Sequence, residues 1–99
     1  MEFWSRLEEV RARWNVLEHP FYQRWSAGEL TRDELAVYAG QYRHAVQALA
    51  DAAAATARAA EPELRTQLEA HAAEESSHVA LCDDFVQAVG GDAGAPAAP

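Results

Sequence analysis

Lysine and isoleucine are absent from the 99 residues, and cysteine occurs once, at Cys82. Without lysine the positive charge rests on eight arginines scattered along the chain, against sixteen acidic residues, for a formal net charge of −8. No cationic face forms to attract phosphates, which argues against nucleic acid or an anionic membrane as partner. A lone cysteine cannot make an internal disulfide. No apolar run approaches the roughly 18 residues that a membrane span needs, and the opening MEFWSRLEEV lacks the basic-then-apolar order of a signal peptide. A cytoplasmic protein with no membrane partner is therefore expected. Alanine supplies 23 of the 49 apolar residues, so the chain favours helix strongly but has few large side chains with which to fill a core. Such helices are expected to lean on a partner subunit, a metal or further chain for stability.

Apolar spacing predicts three main helices and no strand. Residues 2–18 carry Phe3, Leu7, Val10, Trp14 and Leu17 at alternating steps of four and three, one stripe of an amphipathic helix. His19-Pro20 ends it, because proline disfavours the helical conformation of the residue before it. A short turn through Phe21, Tyr22 and Trp25 then closes at Gly28. Thr31-Arg32-Asp33-Glu34 reads as a capping box opening a second main helix to about Ala60, with the seam Leu35, Tyr38, Tyr42, Ala45, Leu49, Ala52 and Thr56. Pro62 suits the first turn of a third, over about 62–89, with the ridge Leu64, Leu68, His71, Glu75, His78, Cys82, Phe85 and Val89. Gly90-Gly91 stops it, and residues 91–99 read as a disordered tail or the start of a linker. The fold class is all-α, an antiparallel helical array in one domain over 1–90.

Candidate chemistry concentrates on the third main helix. His71, Glu75 and His78 interrupt its apolar ridge, and a carboxylate and imidazoles placed inward must be hydrogen-bonded, paired or bound to metal to offset desolvation. Glu75-x-x-His78 is the spacing by which helix bundles hold non-haem iron or manganese, and Glu74 is an alternative or supporting carboxylate. The bland alternative is a solvated acidic turn, since E-x-x-H arises by chance in many helices. On the second main helix Gln41, His44 and Asp51 run beside the Tyr38–Tyr42 seam. His44 and Tyr42 are candidate catalytic groups, although a histidine beside a seam is more often a hydrogen-bonded, partly buried residue than a ligand, and Asp51 can simply pair with an arginine such as Arg58. His19 either presents an imidazole at an aromatic cleft or occupies the end of the first helix. Cys82 reads as a small apolar filler, with no adjacent base to lower its pKa.

The stretch HPFYQRWSAGELTRDELAVYAGQYRHAVQAL, with His19-Pro20-Phe21, Gly28-x-Leu30 and Tyr38-x-x-Gln41, together with HAAEESSHVALCDDF, closely resembles the thiaminase II (TenA) and pyrroloquinoline-quinone synthase superfamily. The resemblance covers about residues 3–90 and implies part of a haem-oxygenase-like helical bundle, with the chain looking like the first half of the longer family domain. The superfamily includes a thiamin-salvage hydrolase, a cofactorless quinone-forming oxidase, and iron oxidases and oxygenases. The thiamin branch's pocket aspartate falls at Tyr42 and its following tyrosine at Ala45, so its substrate-gripping residues are not carried over. Glu75-x-x-His78 matches the iron branch's E-x-x-H element, with His71 an addition, while that branch's carboxylate on the preceding helix falls near Gln41.

Three functions follow as expectations. The first is iron-dependent, oxygen-dependent oxidation of a small organic molecule, with Glu75, His78 and His71 holding one edge of the metal. The second is a metal-free enzyme of the same superfamily in which His71, His78 and Tyr42 transfer protons. The third is a non-catalytic module that pairs as a homodimer through the seams of its long helices.

Overall fold

The computed structural model describes residues 2–99. It is all-α: α1 spans Phe3–Arg13, a 3₁₀ turn Val16–Glu18, α2 Pro20–Ser26, α3 Arg32–Ala59 and α4 Pro62–Ala88, and no strand occurs among the described residues. The chain divides into two compact units, 1–30 and 31–99.

In the first unit α1 is shorter than the apolar stripe predicts. Asn15 is the reason: its side chain accepts the Leu17 N–H at 3.1 Å, opening a separate 3₁₀ turn after the helix has ended at Trp14. This is a local side-chain bond competing with the helical ladder. His19 is not the end of the first helix but the N-cap of α2, where its Nδ1 accepts the Phe21 N–H at 3.0 Å and Pro20 takes the first helical position. Gly28, at φ 71°, closes α2: the Glu29 N–H reaches the Arg24 carbonyl and the Gly28 N–H that of Trp25. These are the two bonds of a Schellman cap, whose left-handed residue favours glycine.

The second unit is a hairpin of the two long helices. The capping box forms as the sequence predicts, with Thr31 Oγ1 accepting from Glu34 N–H and Glu34 Oε1 from Thr31 N–H. Arg32 reaches the Ala88 carbonyl and Arg43 the Asp83 carboxylate, so α3 and α4 run antiparallel about the Ala60–Glu61 link. What packs between them is small: Ala39, Ala50, Ala53 and Ala57 of α3 and Cys82 and Val86 of α4 are the buried apolar positions. Alanine faces let two helices approach closely, and that contact outcompetes the bulkier seam through Tyr42 and Leu49, which stays exposed. Gly90, at φ 76°, and Gly91 end α4 in a second Schellman cap, with Gly91 N–H on the Val86 carbonyl at 2.8 Å. Residues 92–99, which composition alone reads as a disordered tail or linker start, lie against α3. Gln41 donates to the Pro96 carbonyl at 2.9 Å and accepts from Ala98 N–H at 2.8 Å, and His44 Nε2 stands 2.8 Å from the Ala95 carbonyl. Gly40 permits this approach, since a Cβ there would meet the Asp92 carbonyl oxygen at 2.8 Å.

Candidate functional site

The packed face of α4 is rotated from the ridge that the sequence predicts. Leu68, Ala72, Glu75, Val79, Cys82, Val86 and Val89 are its buried or half-buried positions, at steps of four and three, whereas Leu64, His71, His78 and Phe85 stand on one exposed flank at steps of seven. Glu75 belongs to the seam and the two histidines do not. Its side chain is 13 % exposed, against 53 % for His71 and 45 % for His78.

The three residues nevertheless meet. Glu75 Oε2 lies 3.3 Å from His78 Nδ1 and Oε1 lies 3.7 Å from His71 Nε2, so a carboxylate drawn into the helix contact carries an imidazole at each oxygen. Positions four and three apart on one helix bring this about without help from another element. Among the described residues no group of three or more His, Cys, Asp or Glu converges as a metal ion requires. The cluster is thus two Glu–His pairs sharing one carboxylate. Glu74 is exposed and lies outside it.

Which side of the hairpin this cluster faces follows from the ion pair on the opposite edge. Arg43 Nε and Nη2 donate to the two carboxylate oxygens of Asp83. On α3, Arg43 lies to one side of the alanine line and Tyr38, Tyr42 and Leu49 to the other. On α4, Asp83 lies to one side of Cys82 and Val86, and His71, His78 and Phe85 to the other. The edge without the ion pair therefore carries Tyr38, Tyr42 and Leu49 together with His71, His78 and Phe85, and Glu75 sits at its floor. Tyr38 and Tyr42 stack with ring centroids 5.4 Å apart and planes 18° from parallel. Burial, reinforced by Tyr42 and Cys82, pushes the Tyr38 hydroxyl above its usual range.

Tyr42 and His44 are not brought together. Two residues apart on a helix, they point in nearly opposite directions, with Tyr42 on the open face and His44 bonded to the tail on the other side. Asp51 accepts from Gln47 at 3.0 Å, in place of the Arg58 partner that spacing suggested. Cys82 is buried, as its place on the ridge predicts, and burial raises its thiol pKa, which suits a packing residue and not a nucleophile. His19, in the first unit, caps α2 and is exposed.

Sequence reasoning missed the Arg43–Asp83 pair. The signal was available, because folding the helices back on each other about Pro62 brings the two residues level. The Arg43 guanidinium, through its hydrogen bonds first, holds the Asp83 carboxyl below the usual carboxylate range. A carboxyl depressed in the folded state stabilises above its unfolded value, near about 3.9, and that contribution fades as pH falls through the lower folded value. Asp83→Asn is accordingly expected to lower the melting temperature modestly at neutral pH, with the gap to the parent protein closing as pH falls through and below the ordinary carboxylate range. Thermal melts followed by circular dichroism across that range check it; a gap independent of pH would count against the pair.

A sequence model described as the TENA/THI-4/PQQC family matches residues 7–90. Two curated proteins named 4-aminobenzoate synthase are similar to part of the chain. One, from Chlamydia muridarum (strain MoPn / Nigg), is 45% identical over 42 residues, and the other, from Chlamydia trachomatis serovar D, is 43% identical over 42 residues. Each match takes 42% of this chain and 18% of the relative, so it spans less than a fifth of the length of those proteins. No solved structure matches the chain.

Proposed function

This chain belongs to the TENA/THI-4/PQQC family, and on that footing we propose that its α3–α4 hairpin forms one wall of a pocket where a small aromatic molecule is oxidised with the help of non-haem iron. The observation that carries the reading is Glu75, a carboxylate held in an apolar seam with an imidazole at each oxygen and, among the described residues, no arginine paired with it. A seam position filled by leucine would suit packing better, so the carboxylate is kept at a cost.

Carboxylate and imidazole donors fit iron or manganese among the common divalent ions. Glu75 with His78, or with His71, would hold one edge of the ion, and the remaining ligands would come from outside the described residues. Bound there, iron would supply oxygen activation and redox capacity. The chain's own residues do the rest. The stacked Tyr38 and Tyr42 rings offer a flat apolar face for an aromatic ring. The exposed Tyr42 hydroxyl can hold or pass a proton at its oxygen, as can whichever imidazole nitrogen is left free on His71 or His78. The name of the chlamydial relatives, 4-aminobenzoate synthase, supports a substrate or product of benzoate size.

The test is metal retention. Protein loaded with Fe(II) under anaerobic conditions and desalted is expected to keep iron, and the Glu75→Ala/His78→Ala double variant to lose at least about 90% of it, since loss of even an outer-shell partner of a ligand typically costs tenfold or more. Equal iron in both proteins, or none above background in the parent, removes the reading.

A further inference from the structure

We propose that residues 92–99 are a built-in strap that blocks His44: docked on α3 it ties up the imidazole Nε2, and it opens as a unit while the hairpin stays folded, freeing that nitrogen to accept a proton. The strap and its footing lie within one compact unit, 31–99, on the side of α3 away from Glu75.

Gly40 shows that the contact is specified by the sequence. It is the only glycine of the 28-residue α3 and stands in its interior, where glycine weakens a helix relative to alanine. A Cβ there would meet the Asp92 carbonyl oxygen at 2.8 Å, and the next nearest atoms, the Asp92 carbonyl carbon at 3.7 Å and the Ala95 Cβ at 3.8 Å, also belong to the tail. The helix thus carries its glycine at the point where the tail crosses it. Gly91 repeats the device at the root of the strap, where a Cβ would meet the Ala36 carbonyl oxygen at 2.7 Å.

Beyond that root the tail is aimed and then gripped by its backbone. The Asp92 carboxylate accepts from Gly94 N–H at 2.8 Å and the Asp92 carbonyl from Ala95 N–H at 3.2 Å, a turn that sends the following residues along α3. Gln41, donating to the Pro96 carbonyl and accepting from Ala98 N–H, makes the two bonds that one residue of a parallel neighbouring strand would make. A carbonyl oxygen only accepts, so His44 Nε2, 2.8 Å from that of Ala95, carries its hydrogen in the docked state and cannot act as a base. His44 is itself exposed, so the strap's hydrogen bond and not burial restrains it.

The hold is breakable. Asp92, Ala93, Gly94 and residues 96–99 are exposed, and only Gly91 and Ala95 are half-buried. Docking therefore buries little apolar area and rests on hydrogen bonds at the water's edge, each of small net worth. Segments held in this way open locally, well short of global unfolding.

Two measurements on the full chain test this. Hydrogen exchange at the Ala98 amide reads the docking, and carbethoxylation by diethyl pyrocarbonate near neutral pH, located by peptide mass spectrometry, reads the free imidazole nitrogen of each histidine, with His19, His71 and His78 as internal references. In the parent the Ala98 amide is expected to exchange roughly 10- to 100-fold more slowly than in an open chain, yet far faster than the amides of the α3 interior. Gly40→Ala, which sets a Cβ against the strap while favouring the helix, is expected to remove that protection and to speed the reaction of His44 by at least about 3-fold, with the other three histidines unchanged. Ala98→Pro, which deletes the N–H held by Gln41 and alters nothing on α3, is expected to speed His44 likewise, and it serves if Gly40→Ala loses its helical circular dichroism. An Ala98 amide that exchanges at the open-chain rate in the parent overturns the docked strap. One that exchanges only together with the α3 interior overturns its opening. A His44 that reacts equally in the parent and in both variants overturns the blocking.

Discussion

Glu75→Leu is expected to raise the melting temperature while abolishing iron retention. The position is part of the α4 seam, between Leu68 and Cys82, and its side chain is only 13 % exposed. Leucine there would bury apolar area and remove the desolvation cost of the carboxylate, which together favour folding by about 1–2 kcal/mol. For a chain of this length that corresponds to roughly 5–10 °C. The imidazoles of His71 and His78 are half exposed and find water when their partner goes, so they add little to the loss side. A residue that weakens the fold it sits in is the mark of a functional group. Differential scanning calorimetry with iron analysis reads both effects on one sample. A fall in melting temperature would show instead that the Glu–His pairs are structural.

The opposite outcome is expected at Ala39→Leu. Ala39 is fully buried against Cys82 and Val86, with Val46 and Val89 closing the cluster. Three added carbons have no space where two helices touch through alanines, and overpacking costs about 1–3 kcal/mol even where a core can adjust. A chain of this size has roughly 5–15 kcal/mol of stability at most, and this core holds only alanines, one cysteine and one valine as buried apolar residues. The melting temperature should therefore fall by roughly 5–20 °C and the transition broaden, as followed by far-ultraviolet circular dichroism. A melt like the parent's would mean that the helices pack through the tyrosine–leucine seam after all.

That contrast explains what was legible in the sequence. The two long helices, the Thr31–Glu34 capping box, the proline start at Pro62 and the glycine stops at Gly28 and Gly90 depend on contacts within a few residues, and each stands where spacing and residue type put it, whereas the first helix ends at Arg13, short of its apolar stripe. The family resemblance was legible for the same reason, since it rests on contiguous stretches. Which face packs was not. On α3 a stripe of large residues competes with one of alanines, and hydrophobicity favours the larger whereas the closest approach of two helices favours the smaller. On α4 the packed face shares Leu68, Glu75, Cys82 and Val89 with the predicted ridge but takes Ala72, Val79 and Val86 in place of its histidines and Phe85.

The candidate site was legible in the same uneven way. Glu75, His71 and His78 lie on one helix at fixed spacing, so their mutual contact could be read. The separation of Tyr42 from His44 is also fixed by the helix, but the carbonyl that holds His44 comes from a tail with no periodicity to announce its path. Arg43 and Asp83 are 40 residues apart and meet only through the register of the hairpin.

The claim at the centre of this account is that metal chemistry belongs to the open face of the α3–α4 hairpin. Nuclear magnetic resonance of the imidazole nitrogens during an anaerobic Fe(II) titration addresses it residue by residue, because the chain has four histidines, of which two lie on that face. The ring signals of His71 and His78 should broaden together at the first additions, with those of His19 and His44, tied to backbone groups elsewhere, unchanged. Broadening that begins at His19 or His44, or that spares His78, would contradict it.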